Sequence, residues 1–358
     1  VVSNTTRAFI GANATVSAGG DVAVLASDDS KMLVVSGAGG FGLVGVGASV
    51  GVMSLTKSTN AYIGANSSVD AKGFGGGIAG VLDGTASGVA SFNTTTAHGV
   101  VVQATSSENV THMAIAAGGG FVGIAGGVAI TLIDSDTRAW VDNGARINRT
   151  ADNAGASSQQ GVTVRAGNRI ETFSFAGGLA GGFVGVGGAV DIGSIKNDTA
   201  AFIKGGADVA ARGNVVVGAH HLDKNFGFTL ALGGGVVGIG AAVSVWSIGT
   251  PLSANYQNSQ GQNGSAFSAN GGDQQNKAAD QGGAMNSRVS SQMGGYAGGN
   301  TNDNKTDANE RLAGIGKSAQ TSLNTKGPSG TSLRALIASN ATPAGTQAYI
   351  EGGATVRA

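Results

Sequence analysis

The chain has 358 residues, of which 65 are glycine, three are proline and none is cysteine. Lys plus Arg and Asp plus Glu each total 21, so no bulk field recruits nucleic acid or anionic lipid. The missing cysteine excludes disulfide frameworks, thiolate metal sites and cysteine nucleophiles, and the scarce proline excludes collagen and polyproline stalks. With 41% apolar residues, and Val, Ile, Leu and Phe recurring in register, a core can nevertheless form.

Three anchors recur along the chain. The first is Ala8-Phe9-Ile10, then Ala61-Tyr62-Ile63, Ala139-Trp140-Val141, Ala201-Phe202-Ile203 and Ala348-Tyr349-Ile350. The second is a Val-x-Val element starting at Val22, Val100, Val162 and Val215. The third is a Gly-Val segment, Leu43 to Gly47, Phe121 to Ala125, Phe183 to Gly187 and Val236 to Gly240. Second to third anchor is always 20 residues and third to first is 18 in three units, while first to second takes 15, 40, 24 and 15. The minimal unit is 53 residues, and the extra length enters at one place, as loops on one side of a stack do. The surplus around residues 72–97 is rich in Gly, Ser and Thr and reads as a protruding loop. A second insertion of 94 residues follows Trp246.

Alternation at period two, together with abundant glycine and β-branched residues, predicts strands. In the third anchor one parity is Val44, Val46, Ala48, Val50 and Val52, and the other is Gly45, Gly47, Ser49 and Gly51. Because Asp191 and Ser244 fall on the bare parity, that face is expected outward and the aliphatic ladder inward. A bare outer face would admit close approach of a neighbouring sheet, which predicts lateral self-association into fibres or cover by the long insertion. Split at its anchors, the unit is expected to make three turns averaging about 18 residues. The predicted fold is all-β, a right-handed parallel β-helix (solenoid) with a long polar insertion. Residues 1–249 hold the repeats, in units near 5–56, 57–134, 135–196 and 197–249, and residues 250–344 form an Asn/Gln/Gly/Ser-rich insertion, flexible or with short helices over 309–322 and 332–339. The next repeat begins at 345–358. The chain opens without Met and stops inside that repeat, where residues 345–358 align with 5–18, so a fragment of a longer array is expected. Residues 226–249 are uncharged, but their match to three other units favours strands over a membrane helix.

No constellation of catalytic, cofactor-binding or metal-ligating residues emerges. Consecutive strand residues face opposite ways, so His220 and His221 cannot chelate one ion, and His98 and His112 stand apart. Ser27-Asp28-Asp29 reads as a solvated acidic turn and lacks the calcium nonapeptide. Gly118 to Gly120 and Gly233 to Gly235 precede strands, whereas nucleotide fingerprints need a helix. Asp70, Glu108, Asp136, Arg138, Arg169 and Glu171 are expected dispersed at turns, without the carboxylate cluster a β-helix hydrolase uses. The Asn-x-Ser/Thr sequons at Asn13, Asn66, Asn93 and Asn148 are chance matches in so polar a chain, and Thr94 to Thr96 read as solvated.

The combination of Thr-x-Ala-aromatic-Ile with Gly-Ala (Tyr62-Ile63-Gly64-Ala65, and residues 202–209), then Val-x-Val-x-Ala, then Gly-Gly-x-Val-Gly-Val-Gly-Ala-x-Val, resembles the repeats of large leukotoxin-type filamentous adhesins. These are similar to filamentous haemagglutinins exported by two-partner secretion. The resemblance spans the chain at the level of its repeats, including the polar insertion. It matches no amino-terminal secretion domain or receptor-binding module, so export route and ligand are implied by the family alone. It implies a structural segment of a secreted or cell-surface bacterial fibre, without enzymatic activity, serving adhesion, cell-cell contact or biofilm matrix. The absence of cysteine suits such export. Implied partners are neighbouring repeats, adjacent fibres, and a host surface or matrix polysaccharide, with no nucleic acid and no membrane span in this segment. The alternative is a carbohydrate-active β-helix enzyme or a carbohydrate-binding passenger.

Overall fold

A computed structural model describes residues 1–88, 91–149, 154–249, 255–257, 263–265 and 345–358, and every regular element among them is a strand. In chain order these are β1 (Val2–Ile10), β2 (Thr15–Ala18), β3 (Val22–Ile63), β4 (Ser68–Ala71), β5 (Ile78–Ala86), β6 (Phe92–Ala97), β7 (Gly99–Val141) and β8 (Arg146–Ile147). They continue with β9 (Gly161–Ile203), β10 (Asp208–Ala210), β11 (Val215–Gly234), β12 (Val237–Ile248), β13 (Asn255–Gln257), β14 (Asn263–Ser265), β15 (Gly345–Ile350) and β16 (Thr355–Arg357). The helices expected at 309–322 and 332–339 lie outside the described residues.

Pairing between units is parallel and residue-to-residue. Val22 pairs with Val100, Val100 with Val162 and Val162 with Val215, offsets of 78, 62 and 53 residues. Each offset is one whole unit with its insertion, so a unit makes one rung and not three turns. The 20-residue spacing that suggested a coil is one arm of a long loop. In β3 the chain runs out along residues 22–41, turns at Gly42 and returns along 43–63. A methyl group on Gly40 would collide with the carbonyl of Val46 across that turn, and one on Gly45 would meet the carbonyls of Gly40 and, one rung on, Gly119. Parallel pairing constrains register, not rung length, and the familiar size of short coils was the wrong guide.

At the open end of each rung lies a three-sided base. The start of the outgoing arm, the end of the returning arm and a separate sheet ordered β16-β10-β8-β4-β2 enclose Val24, Ala26, Ile63, Val69, Val102, Ile147, Val164 and Ile203, all buried. Burial of each Val or Ile here contributes roughly 1.5–3 kcal/mol. The turn into the third side has a left-handed residue in every rung: Asn13 and Asn66 at φ 59° and 55°, then Gly144, Gly206 and Gly353. Asn and Gly are the residues that tolerate this conformation.

Beyond the base the two arms extend as a two-layered blade, and its faces are reversed from the sequence expectation. Gly45, Gly47, Ser49 and Gly51 are buried between the arms, while Val44, Val46, Val50 and Val52 point outward, half-buried in this first rung, and their counterparts Val122, Ile124, Val184 and Val186 are buried by stacking along the same outer row. Asp191, taken as an outward marker, is fully buried. The reason is the closeness of the arms: a methyl on Gly47 would collide with the Ala117 carbonyl, and one on Gly187 with that of Leu232. Glycine permits backbone against backbone, and the larger side chains are displaced to the outside.

Candidate functional surfaces

The blade interior next to the base is polar. Lys57, fully buried, reaches Asp28 at 2.6 Å in its own rung and Glu108 at 3.1 Å in the next. Its ammonium also donates to the Ser107 carbonyl at 3.2 Å. Glu108 accepts from the hydroxyls of Ser106 and Ser135 and from Asn168 Nδ2. Burial pushes the Asp28 carboxyl up, but Lys57 with the Thr6 and Ser30 hydroxyls outweighs it and holds the group below the usual aspartate range. Two carboxylates share one ammonium, and the hydroxyls and an amide supply the remaining contacts of this buried network.

Further out, buried His112 contacts Thr131 Oγ1 through Nδ1 at 2.9 Å, and burial pushes its imidazole below the usual value although Asp191 opposes the shift. Asp191 accepts from Ser174, Ser244 and the Trp246 indole, the last at 2.8 Å. Trp246 points inward, over Gly193 and Gly227, where a methyl on either glycine would strike the indole. These are structural locks, each set by which rung carries the large group and which carries glycine.

The outer surface carries columns of stacked rings. At the base Phe9, Tyr62, Trp140, Phe202 and Tyr349 stack in sequence, with centroids 5.1, 4.4, 5.8 and 5.1 Å apart. Ring faces spent on one another are not free to stack on a sugar. On the outgoing arm Phe173 stacks on Phe226 and Phe175 on Phe228. Apart from the buried Asp191, residues 32–55, 110–133, 172–195 and 225–248 hold no Asp, Glu, Lys or Arg, so the distal blade is uncharged on both outer faces.

The first insertion folds as an antiparallel hairpin, β5 on β6, lying against the outgoing arms. It is not a free loop: Val81 and Leu82 are buried, Leu82 N donates to Gln103 Oε1 at 2.8 Å, and Gln103 Nε2 donates to the Gly80 carbonyl. Between hairpin and arms runs an open groove of about 470 Å³, lined among others by Leu25, Ser27, Phe92, Gln103, Thr105 and Arg169. Its lining combines apolar Leu25 and Phe92 with polar Gln103, Thr105 and Arg169.

His220 lies outward beside Arg165 at 2.9 Å, and His221 pairs in register with the interior Asn168, so the adjacent histidines face opposite sides. Among the described residues no three His, Asp or Glu converge on a metal-sized site. Asp28 and Asp29 are in mid-strand, not at a turn, and Asp70, Glu108, Asp136, Arg138, Arg169 and Glu171 likewise lie on strands. Asn148 is buried, its side chain bonding Ala71 N and the Ala210 carbonyl, so that sequon is closed to a glycan. Residues 226–234 fall in β11 and 237–248 in β12, and among the described residues no helix is long and apolar enough to cross a membrane. Sequence reasoning missed Lys57, whose signal was a single lysine where later rungs carry Ser135 and Asn197. Comparison with protein-family models, curated proteins and solved structures returned no match.

Proposed function

We propose that this chain is a structural segment of an extracellular bacterial fibre, a right-handed parallel β-helix whose rungs are single 53-residue units and whose insertions provide contact surface. The observation that carries this reading is register. Through four consecutive units each residue pairs with its counterpart one unit on, although insertions of different length interrupt two of the three intervals. Such a stack adds identical backbone pairing with every unit and resists pulling without a dedicated site. Export by two-partner secretion and a surface location follow from the repeat resemblance and suit a cysteine-free chain. Electron microscopy and fibre diffraction of native material test the reading. Rods with a repeat of about 4.8 Å along the axis are expected, and compact particles without it would overturn the proposal.

A second reading, binding of a matrix or host polysaccharide, is favoured by the groove under the hairpin, where Phe92 and Thr94 of the hairpin stand across from Gln103 and Arg169. Glycan-array binding that Phe92→Ala abolishes while the far-ultraviolet circular dichroism is retained would support it. Unchanged binding in that variant would exclude the groove.

A further inference from the structure

The outward face of the outgoing arms carries most of the blade's exposed large hydrophobic side chains. Leu33 and Val35 in the first rung, Ile115 in the second, Phe173 and Leu179 in the third, and Phe226, Phe228 and Leu232 in the fourth are all exposed, Leu33 at 67% and Phe226 at 55%. These positions form rows along the stack, because Leu33 pairs with Thr111, Thr111 with Phe173 and Phe173 with Phe226. Charge begins only at the base side of the face, with Lys31, Arg169, Glu171 and Lys224.

Four rungs spaced about 4.8 Å apart and five outward positions per arm make a patch of roughly 600 Å². That reaches the upper limit for the largest apolar patch on an ordinary monomer. Two such faces together would bury about 1,200 Å², the lower bound of a specific stable interface. We propose that two copies of this chain pack these faces against each other, blade to blade, with the Phe173–Phe226 and Phe175–Phe228 columns at the centre. The pairing rests on the fibre reading and makes each rod a lateral half of a two-rod filament. It also moves the adhesive face from the glycine parity, which lies inside the blade, to the aliphatic and aromatic parity outside it.

A lipid bilayer is the competing occupant, and flotation with vesicles distinguishes it from a second copy of the chain.

The chain contains no cysteine, so single thiols report the contact cleanly. Sedimentation of the whole chain should show a concentration-dependent dimer. Ile115→Cys should cross-link it on mild oxidation, whereas Val50→Cys on the returning arm should not. Thr111→Cys serves as a second probe on the same face if the first fails to fold. Phe228→Lys should weaken dimerisation at least tenfold without loss of β-structure by circular dichroism. Four outcomes would each overturn the proposal: a monomer at all concentrations, equal cross-linking through both arms, unaltered dimerisation in Phe228→Lys, or flotation with phosphatidylcholine vesicles in place of dimer formation. Single unpaired rods in micrographs would sink the pairing and leave the fibre reading standing. Dimers that form no rods would do the reverse.

Discussion

The base and the blade are made from the same strands and solve opposite packing problems. In the base three sides enclose a space that Val, Ile and Ala fill, with Val164, Ile147 and Ile203 fully buried. In the blade the distal arms face each other so closely that glycine carbonyls meet glycine α-carbons, and nearer the base an apolar cluster of Met53, Leu55, Val110, Ile133, Ile170 and Ile195 adjoins buried polar side chains. The base is stabilised by apolar burial. The blade is held by backbone pairing between rungs, close packing and buried hydrogen-bonded locks, beside smaller apolar clusters such as Met53, Leu55, Ile133 and Ile195. Alternation therefore has two meanings in one strand: in β3 the aliphatic parity is inside at Val24 and outside at Val44.

This contrast breaks most sharply at Lys57. Lys57→Met leaves Asp28 and Glu108 buried without their cation and should cost about 3–5 kcal/mol in urea unfolding, most of it recovered by adding Asp28→Asn and Glu108→Gln. Gly47→Val pushes a side chain into the Ala117 backbone and should cost about 3 kcal/mol, whereas Gly126→Ala, with open space around it, should stay within about 0.5 kcal/mol. In the base the response should be graded: Ile63→Val should lower stability by about 1 kcal/mol, as an ordinary core truncation does. The mildest test is acid. His112 is held neutral with its pKa below about 6.5, so the stability it contributes is complete above that pH and is lost as pH falls towards its lowered folded value. A urea midpoint that declines from pH 7 to 5, and declines less in His112→Asn, is expected. Identical slopes would show that the ring does not titrate in the blade.

Much of this was legible in the residues. The constant intervals located the long repeated strands and both insertion points, because an in-register stack tolerates length change only where chain leaves it. The rung size was not legible, since a turn at Gly42 and a corner at Gly64 look alike in a glycine-rich chain. Nor was the direction of the faces. Outward polar residues normally mark solvent, but here Asp191 is satisfied by Ser174, Ser244 and Trp246 from neighbouring positions and rungs, partners that only the fold brings together. The first insertion looked like a loop because it is rich in Gly, Ser and Thr, and Val81 and Leu82 were the apolar pair that should have suggested a docked hairpin.

The account stands on one unit making one rung. Asn109 and Glu171 are register partners on adjacent rungs and both lie on the outward side of the outgoing arm. Adjacent parallel strands are about 4.8 Å apart, within disulfide reach, whereas a three-turn unit would separate these residues by about 14 Å. The double variant Asn109→Cys with Glu171→Cys should close an intramolecular disulfide under mild oxidation of the folded chain, seen as a mass loss of two hydrogens with no free thiol. Two free thiols under the same conditions in a folded chain would contradict the rung.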